Sequence, residues 1–255
     1  MVWKITDIEA QSLPQANKRF TSLASMTAEI AKNSTPAQTL REYPDHWWDA
    51  DLWADLRNAG PYADVLAAMR LDDLPSAKET EAELARLLEM QASGEREKRR
   101  PEILEEAERP PPAYTMTLFL DDGRRRLTRA LMIASVVWSR KFILSFKHKY
   151  RRPRPTQLEP RLKPMLLCPG HPAYPSGHST QAHLLALLFG KLSGRPDIAK
   201  AMFDAADRIA ENREYAGLHY PSDSAAGVAL ARQLMVLFEG EFADAIAAAR
   251  TAEWS

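Results

Sequence analysis

The sequence is poor in cysteine, in net charge and in long apolar runs. Its single cysteine, Cys168, excludes an intramolecular disulfide and a cysteine-rich metal site. The best apolar runs, 131–138 and 184–189, are far shorter than the roughly 20 residues that cross a bilayer, so no membrane span is expected. Basic and acidic residues number 34 each, which gives no overall charge that would favour nucleic acid. Any anion site must therefore arise from local clustering.

The N-terminus also lacks the features of a signal peptide. A basic start followed by an apolar stretch is missing from residues 1–7. We therefore expect a cytoplasmic protein, or a periplasmic or secreted one if a leader has been removed.

Glycine and β-branched residues are scarce, whereas alanine, leucine, glutamate and arginine dominate, and these favour helices. The fold class predicted is all-α, and an apolar content of 45% in 255 residues allows a sizeable core. Apolar spacing and proline or serine starts predict the helices. Their predicted ranges are 14–33, 62–70, 76–93, 124–150, 176–192, 196–215, 221–238 and 241–252, whereas 156–168 is predicted to be loop.

Three consecutive prolines at 110–112 break any helix and mark the clearest linker. They separate an N-terminal helical region, 1–110, from the part that carries the chemistry, 111–255. One core could span both parts, so we expect a single structural domain with the first region packed on the second. The charged stretch 95–109 is typical of a solvated helix face. The aromatic residues of the N-terminal half make a homodimer plausible.

The sequence Pro175-Ser176-Gly177-His178 predicts the start of a helix. Ser176 is placed to cap it, and the amides of the first turn would then point outward, where they favour an anion. An ordinary helix start, without a ligand, fits this block equally well when it is taken alone.

A basic block runs from Lys147 to Arg154 and is flanked by prolines. The planar fork of arginine suits a bidentate grip on phosphate-like oxyanions. A nucleic-acid patch is the alternative, but the block lacks interleaved aromatic residues beyond Tyr150, so no nucleic-acid partner is expected.

A third block contains Arg213, His219 and Asp223. Asp223 follows His219 by four residues and lies in the first turn of a predicted helix, so it can orient the histidine ring. This pairing resembles the base and orienting acid of a catalytic triad, with histidine as the nucleophile. A histidine–aspartate pair alone is more often structural.

Taken together, the three blocks resemble, in order and spacing, the signature of the type 2 phosphatidic acid phosphatase and vanadium haloperoxidase superfamily. The matching residues are Lys147, then Arg154-Pro155 after six residues, Pro175-Ser176-Gly177-His178, and Arg213 followed by His219 and Asp223. The resemblance covers 147–223. One departure is Asn212, where the family usually has serine; because Arg213 is kept, we expect little loss of phosphate binding.

The resemblance implies a role for each matched residue on a small phosphorylated substrate. His219 would attack phosphorus, Asp223 would orient His219, and His178 would act as general acid and base. The charge on phosphate would be met by protein groups, so the phosphatase reaction would need no metal and no cofactor. These groups would be Lys147, Arg154, Arg213, Ser176 and Gly177.

Within this superfamily the chain most resembles the soluble class A bacterial acid phosphatases, notably around Tyr174 to Ser179. The alternative is a vanadium haloperoxidase, in which His219 would hold vanadate. Bromoperoxidases of that branch carry an additional histidine at the position of His171, although this segment also fits an ordinary loop. Haloperoxidases are usually much longer, which favours the phosphatase. We regard His171 and Tyr174 as candidate pocket residues.

Overall fold

A computed structural model describes residues 42–44, 48, 62–107 and 124–254. All regular secondary structure within these residues is helical, which confirms the all-α prediction. The predicted helix at 14–33 and the prolines at 110–112 lie outside the described residues. The division at residue 110 therefore stays a prediction.

The described residues contain helices that begin within two residues of their predicted starts, together with several short ones. None of the helices in 62–107 and 124–254 combines the length and the apolarity needed to cross a bilayer. The bounds are α1 Ala63–Ala68, α2 Ala77–Ala92, α3 Gly94–Lys98, α4 Arg100–Glu105, α5 Arg126–Tyr150, α6 Pro155–Leu158, α7 Gly177–Ser193, α8 Pro196–Tyr215, α9 Pro221–Glu241 and α10 Ala243–Glu253.

Local signals explain most of these helix starts. Ser76 accepts a hydrogen bond from the Glu79 amide and the Glu79 side chain accepts one from the Ser76 amide, a reciprocal cap on α2. Pro196 and Pro221 occupy first-turn positions of α8 and α9, where the missing amide hydrogen has no helical partner in any case. The prediction of a loop over 156–168 is wrong at its start, because Pro155 opens the short helix α6 in the same way.

Helix α7 forms the centre of the fold. It packs against α5, α8, α9 and α10. Because it is surrounded, most of its residues are buried, including Leu184, Leu185, Leu188 and Phe189. A helix enclosed on all sides has no polar face to present to water. The segment Pro175–His178, hereafter the Pro-Ser-Gly-His turn, therefore leads directly into the central helix of the described residues.

Gly227 lets α9 approach the first turn of α7. A Cβ atom at this position would lie 2.7 Å from Cβ of Ser179 and 3.0 Å from the carbonyl oxygen of Ser176. We expect Gly227→Ala to lower the free energy of unfolding by about 1–3 kcal/mol, because overpacking shifts the backbone. Urea denaturation monitored by circular dichroism measures the change.

Gly240, also in α9, provides the matched control. A Cβ atom there has nothing within 4 Å. Gly240→Ala should leave stability unchanged or raise it by up to about 1 kcal/mol, since alanine favours helix. Equal effects of the two substitutions would contradict the close approach at Gly227.

The charged segment packs on the core rather than forming one solvated face. Its described part contains α3 and α4, and α4 contacts α8. Glu97 and Arg100 form an exposed pair, as predicted, but Arg99 and Glu106 are both buried. The guanidinium of Arg99 lies 4.3 Å from the centre of the Tyr215 ring. The prediction of a solvated face is therefore wrong for Arg99 and Glu106, which face α8.

Candidate active site

A cavity of about 200 Å³ lies at the N-terminal end of α7 and brings residues of all three sequence blocks together. Its wall is formed by α5, by the segment before the Pro-Ser-Gly-His turn, by the start of α7 and by the α8–α9 connection. The lining residues include six of the predicted site residues, namely Lys147, Arg154, His171, Gly177, His178 and His219. Arg140 and Gln181, which the sequence analysis did not single out, also line it.

His219 and Asp223 form a buried pair in this cavity. Nδ1 of His219 lies 3.0 Å from Oδ2 of Asp223, and Asp223 is completely buried in the first turn of α9. Since a carboxylate accepts the hydrogen bond, Nδ1 carries the proton. Nε2 lies 3.0 Å from Nη1 of Arg154, and arginine can only donate, so Nε2 presents its lone pair.

The surroundings of His219 keep its ring neutral. Burial lowers its pKa well below the usual range, and the nearby cations Arg154, Lys147, Arg213 and Arg152 lower it further. The ring therefore holds one proton, on Nδ1, and its Nε2 is available as a nucleophile.

Arg152 supports Asp223 from behind and was not recognised in the sequence. Its Nη1 donates to Oδ1 of Asp223 at 2.6 Å and to Oγ of Ser222 at 2.7 Å. Its Nη2 donates to Oε2 of Glu83 at 2.7 Å. The guanidinium also lies 3.7 Å from the centre of the Tyr220 ring. Arg152 lies within the basic block, which was the available signal, but the sequence analysis gave it no role of its own; its side chain is buried.

Lys147 and Arg154 are held by the backbone that precedes the Pro-Ser-Gly-His turn. Nζ of Lys147 donates to the carbonyl oxygens of Pro172 and Ala173, both at 2.8 Å. Nε of Arg154 donates to the carbonyl oxygen of His171 at 3.1 Å. These contacts fix two buried cations in the cavity wall, and a carbonyl cage of this kind orients them without neutralising them.

His171 contacts Arg154 through its side chain as well. Its Nδ1 lies 3.0 Å from Nη2 of Arg154 and 3.0 Å from the carbonyl oxygen of Pro172. The first contact requires a lone pair on Nδ1 and the second a proton. Because arginine cannot accept, the first contact decides the tautomer and places the proton on Nε2. Burial, with help from Lys147 and Arg154, lowers the pKa of His171 well below its usual range.

The Pro-Ser-Gly-His turn has the predicted local structure. Ser176 caps α7 by accepting a hydrogen bond from the Ser179 amide at 3.4 Å. The amide of Ser176 donates to the carbonyl oxygen of Asp223 at 2.9 Å, which ties this turn to the start of α9. Gly177 and His178 line the cavity, whereas Ser176 is buried behind them.

Tyr174 lies outside this cavity. Its hydroxyl donates to the carbonyl oxygen of Asp72 at 2.8 Å, and its ring packs edge-on against Tyr150. It lines a second cleft, of about 440 Å³, beside Asp72 and Glu83. Its side chain therefore supports the turn from the opposite side.

Arg213 is fully buried in the last turn of α8 and is not among the residues that line the cavity. Its Nη2 donates to Oε2 of Glu106 at 2.7 Å and to the carbonyl oxygen of Ile103 at 3.1 Å. Its Nε and Nη1 have no hydrogen-bond partner within the described part of the chain. Glu106 was also missed by the sequence analysis, because no motif surrounds it.

Residues 127–238 match the sequence profile of the PAP2 superfamily. Over this segment the chain is similar to the PAP2 superfamily. The match contains all three blocks, from Lys147 to Asp223, and confirms the resemblance on which they were interpreted. This similarity supports a phosphoric monoester hydrolase. The narrower assignment to the class A acid phosphatases stays a prediction.

Comparison with solved structures finds a likeness to the "first transmembrane PAP2 type phosphatidylglycerolphosphate phosphatase from Bacillus subtilis". The two sequences are 20% identical, the likeness covers 77% of this chain and 88% of the other, and the TM-score is 0.36. At this identity and TM-score the likeness assigns no substrate to the present chain. Comparison with the curated proteins gives no match.

Proposed function

We propose that this protein is a phosphomonoesterase that forms a phosphohistidine on His219 and needs no metal ion. The observation that carries the proposal is the buried line Asp223–His219–Arg154, with both contacts to the ring at 3.0 Å. It leaves a neutral nitrogen nucleophile facing a cavity wall that carries fixed positive charge. That combination suits attack on a phosphorus atom whose oxygens are negatively charged.

In the first step, Nε2 of His219 attacks phosphorus. The P–N bond forms as the P–O bond to the leaving group breaks, and the imidazole gains positive charge. Asp223 stabilises that charge through the Nδ1 proton. Lys147 and Arg154 stabilise the phosphoryl oxygens, whose charge is spread in the transition state.

His178 is the general acid of this step in our proposal. It lines the same cavity, and its Nε2 lies 3.2 Å from the carbonyl oxygen of Glu106. A carbonyl oxygen only accepts, so this contact places a proton on Nε2. As an imidazolium, His178 would give a proton to the leaving oxygen and become neutral. In the second step water attacks phosphorus, the P–N bond breaks and His178 takes the proton back.

The cavity volume favours a small substrate or a phosphate group at the end of a larger one. About 200 Å³ holds a phosphate and a few further atoms. Ile143, Leu144 and Leu218 line it beside the cations, so the group next to the phosphate meets apolar surface.

Hydrolysis of p-nitrophenyl phosphate tests the proposal directly. We expect release of p-nitrophenolate in buffer containing a metal chelator, and inhibition by vanadate that is competitive with substrate. The reason is that vanadate has the shape and charge of the phosphoryl group in this site. Absence of hydrolysis, or complete loss of it in chelator, would contradict a metal-independent phosphatase.

A vanadate-dependent haloperoxidase is the second candidate, and the position of His171 favours it. His171 lines the cavity and contacts Arg154. The residues fit vanadate as they fit phosphate, since the donors for a tetrahedral oxyanion are the same; His219, Lys147 and Arg154 would hold it. Bound vanadate would supply halide oxidation by peroxide. Bromination of a phenol by vanadate-loaded protein, without phosphatase activity, would favour this candidate.

A further inference from the structure

The carboxylate of Glu106 binds Arg213, the cationic residue that the substrate phosphate is expected to contact. Its Oε2 accepts from Nη2 of Arg213 at 2.7 Å, and its Oε1 accepts from Nδ2 of Asn212 at 2.8 Å. Both contacts are buried. A carboxylate and a phosphate compete for the same guanidinium geometry. Arg213 is thus engaged by an internal anion and does not reach the cavity wall.

The position of Glu106 also links it to the proposed general acid. Its backbone carbonyl oxygen contacts Nε2 of His178, while its side chain contacts Arg213. Glu106 follows α4, so one residue from the N-terminal half touches two groups of the site. Asn212, the residue that departs from the family pattern, provides the second hydrogen bond to its carboxylate.

The charges of the site are unbalanced in a way that suits an anion. Of the buried cations Lys147, Arg152, Arg154 and Arg213, only Arg152 and Arg213 contact carboxylates in the hydrogen bonds of the described residues. These carboxylates belong to Asp223, Glu83 and Glu106, so the four cations exceed them by one charge when the histidines are left out of the count. Protonation of Glu106 raises this excess by one, which favours an anion of higher charge.

We propose that Glu106 competes with the substrate phosphate for Arg213, and that phosphate binding is coupled to the uptake of a proton by Glu106. This inference rests on the proposed function, which makes Arg213 a phosphate ligand. Protonated Glu106 binds the guanidinium of Arg213 more weakly. The anion can then bind Nη2 in addition to Nε and Nη1, which have no hydrogen-bond partner among the described residues.

The groups around Glu106 determine the direction of this coupling. Arg213 and Asn212 face it from α8, His178 from α7, and Glu102 and Arg99 lie within its own segment. Burial raises the pKa of Glu106 above its usual value, although Arg213 opposes the rise and Glu102 adds to it. A bound dianion raises this pKa further. At pH values between the pKa of Glu106 in the free protein and its pKa in the complex, Glu106 takes up a proton when the anion binds. The affinity for the anion therefore increases as pH falls through that window.

Sulfate is the probe that isolates this effect, because it is a tetrahedral dianion whose own charge is constant across the working range. Calorimetric titration with sulfate, in two buffers of different ionisation enthalpy, gives both affinity and the number of protons taken up. We expect Glu106→Gln to raise sulfate affinity about tenfold above the pKa of Glu106 and to remove up to about one proton of uptake. The substitution leaves the backbone contact to His178 intact.

Glu102→Gln is the matched control. Glu102 lies one turn earlier, contacts Asn212 at 3.2 Å and pairs with Arg208, but does not contact Arg213. Because the charge of Glu102 raises the pKa of Glu106, its loss should move the window of proton uptake to lower pH, while Glu106 still takes up the proton. Loss of proton uptake in Glu106→Gln but not in Glu102→Gln would therefore report Glu106.

Asn212→Ser provides a second test in case Glu106→Gln does not fold. Loss of the Nδ2 donor raises the pKa of Glu106, so the window of proton uptake should move to higher pH. Unchanged proton uptake in Glu106→Gln, or an unshifted window in Asn212→Ser, would overturn the role of Glu106 only. Absence of sulfate binding by the unaltered protein would overturn the anion site, and with it both this inference and the proposed function.

Discussion

Replacing His219 by alanine is expected to lower kcat/KM for p-nitrophenyl phosphate by at least about 10³-fold, because the nucleophile is removed and no neighbouring nitrogen has the same surroundings. Among the described residues, the His219 ring combines a 3.0 Å contact to a buried carboxylate with a 3.0 Å contact to Arg154. Initial rates at substrate concentrations below KM measure the loss. Circular dichroism checks that the variant is folded.

His148→Ala is the matched control, since His148 lies on α5 but does not line the cavity. Its activity should stay within about twofold of the unaltered protein, as expected of a residue away from the chemistry. A reaction with a substrate that carries a label on its phosphorus atom can be quenched rapidly to trap the intermediate. The unaltered protein should then carry an acid-labile labelled phosphoryl group, and His219→Ala should carry none. Near-normal turnover by His219→Ala would show that the nucleophile is a different group.

The features that the sequence could predict are those that depend on neighbours along the chain. Proline and serine starts located the beginnings of α2, α7, α8 and α9, because capping acts within one turn. The spacing of His219 and Asp223 predicted their contact for the same reason: four residues across a helix start bring the side chains together.

The features that the sequence could not predict depend on pairs that are distant along the chain. Glu83, in α2, and Glu106, which follows α4, lie in segments that carry no motif. They contact Arg152 and Arg213 across 69 and 107 positions. Charged residues in a mixed run are usually solvated, so pattern alone assigned this segment to the surface. Only tertiary packing distinguishes the buried Arg99 and Glu106 of that run from their exposed neighbours.

The buried acids also explain why the site can hold several cations at all. An unpaired guanidinium in a protein interior costs several kcal/mol, and a partner carboxylate offsets that cost. Arg152 is paired with Asp223 and Glu83, and Arg213 with Glu106. Arg154 instead relies on backbone carbonyl oxygens and His171. Its charge is therefore the least neutralised of the three, at the place where His219 would receive phosphorus.

The pairing of Arg152 leads to the largest expected effect on stability. Arg152→Met would leave the buried carboxylate of Asp223 and the partly buried carboxylate of Glu83 without their common partner. We expect the free energy of unfolding to fall by about 3–5 kcal/mol, the range found when one member of a buried ion pair is removed. The free energy of unfolding of Arg152→Lys should lie between those of Arg152→Met and the unaltered protein, because an ammonium cannot bridge the two carboxylates as a planar guanidinium does. Urea denaturation at neutral pH measures the free energy of unfolding of the unaltered protein and of both variants.

Arg161→Met supplies the comparison with an exposed ion pair. Arg161 contacts Glu159 at 2.6 Å, but its side chain is 75% exposed. Removing it should cost less than about 1 kcal/mol, because water screens surface pairs. If Arg152→Met were no more destabilising than Arg161→Met, then Arg152 would not be the group that stabilises Asp223. The orientation of His219 would in that case depend on Asp223 and the Tyr220 amide alone, whose contact with Oδ2 is 3.1 Å.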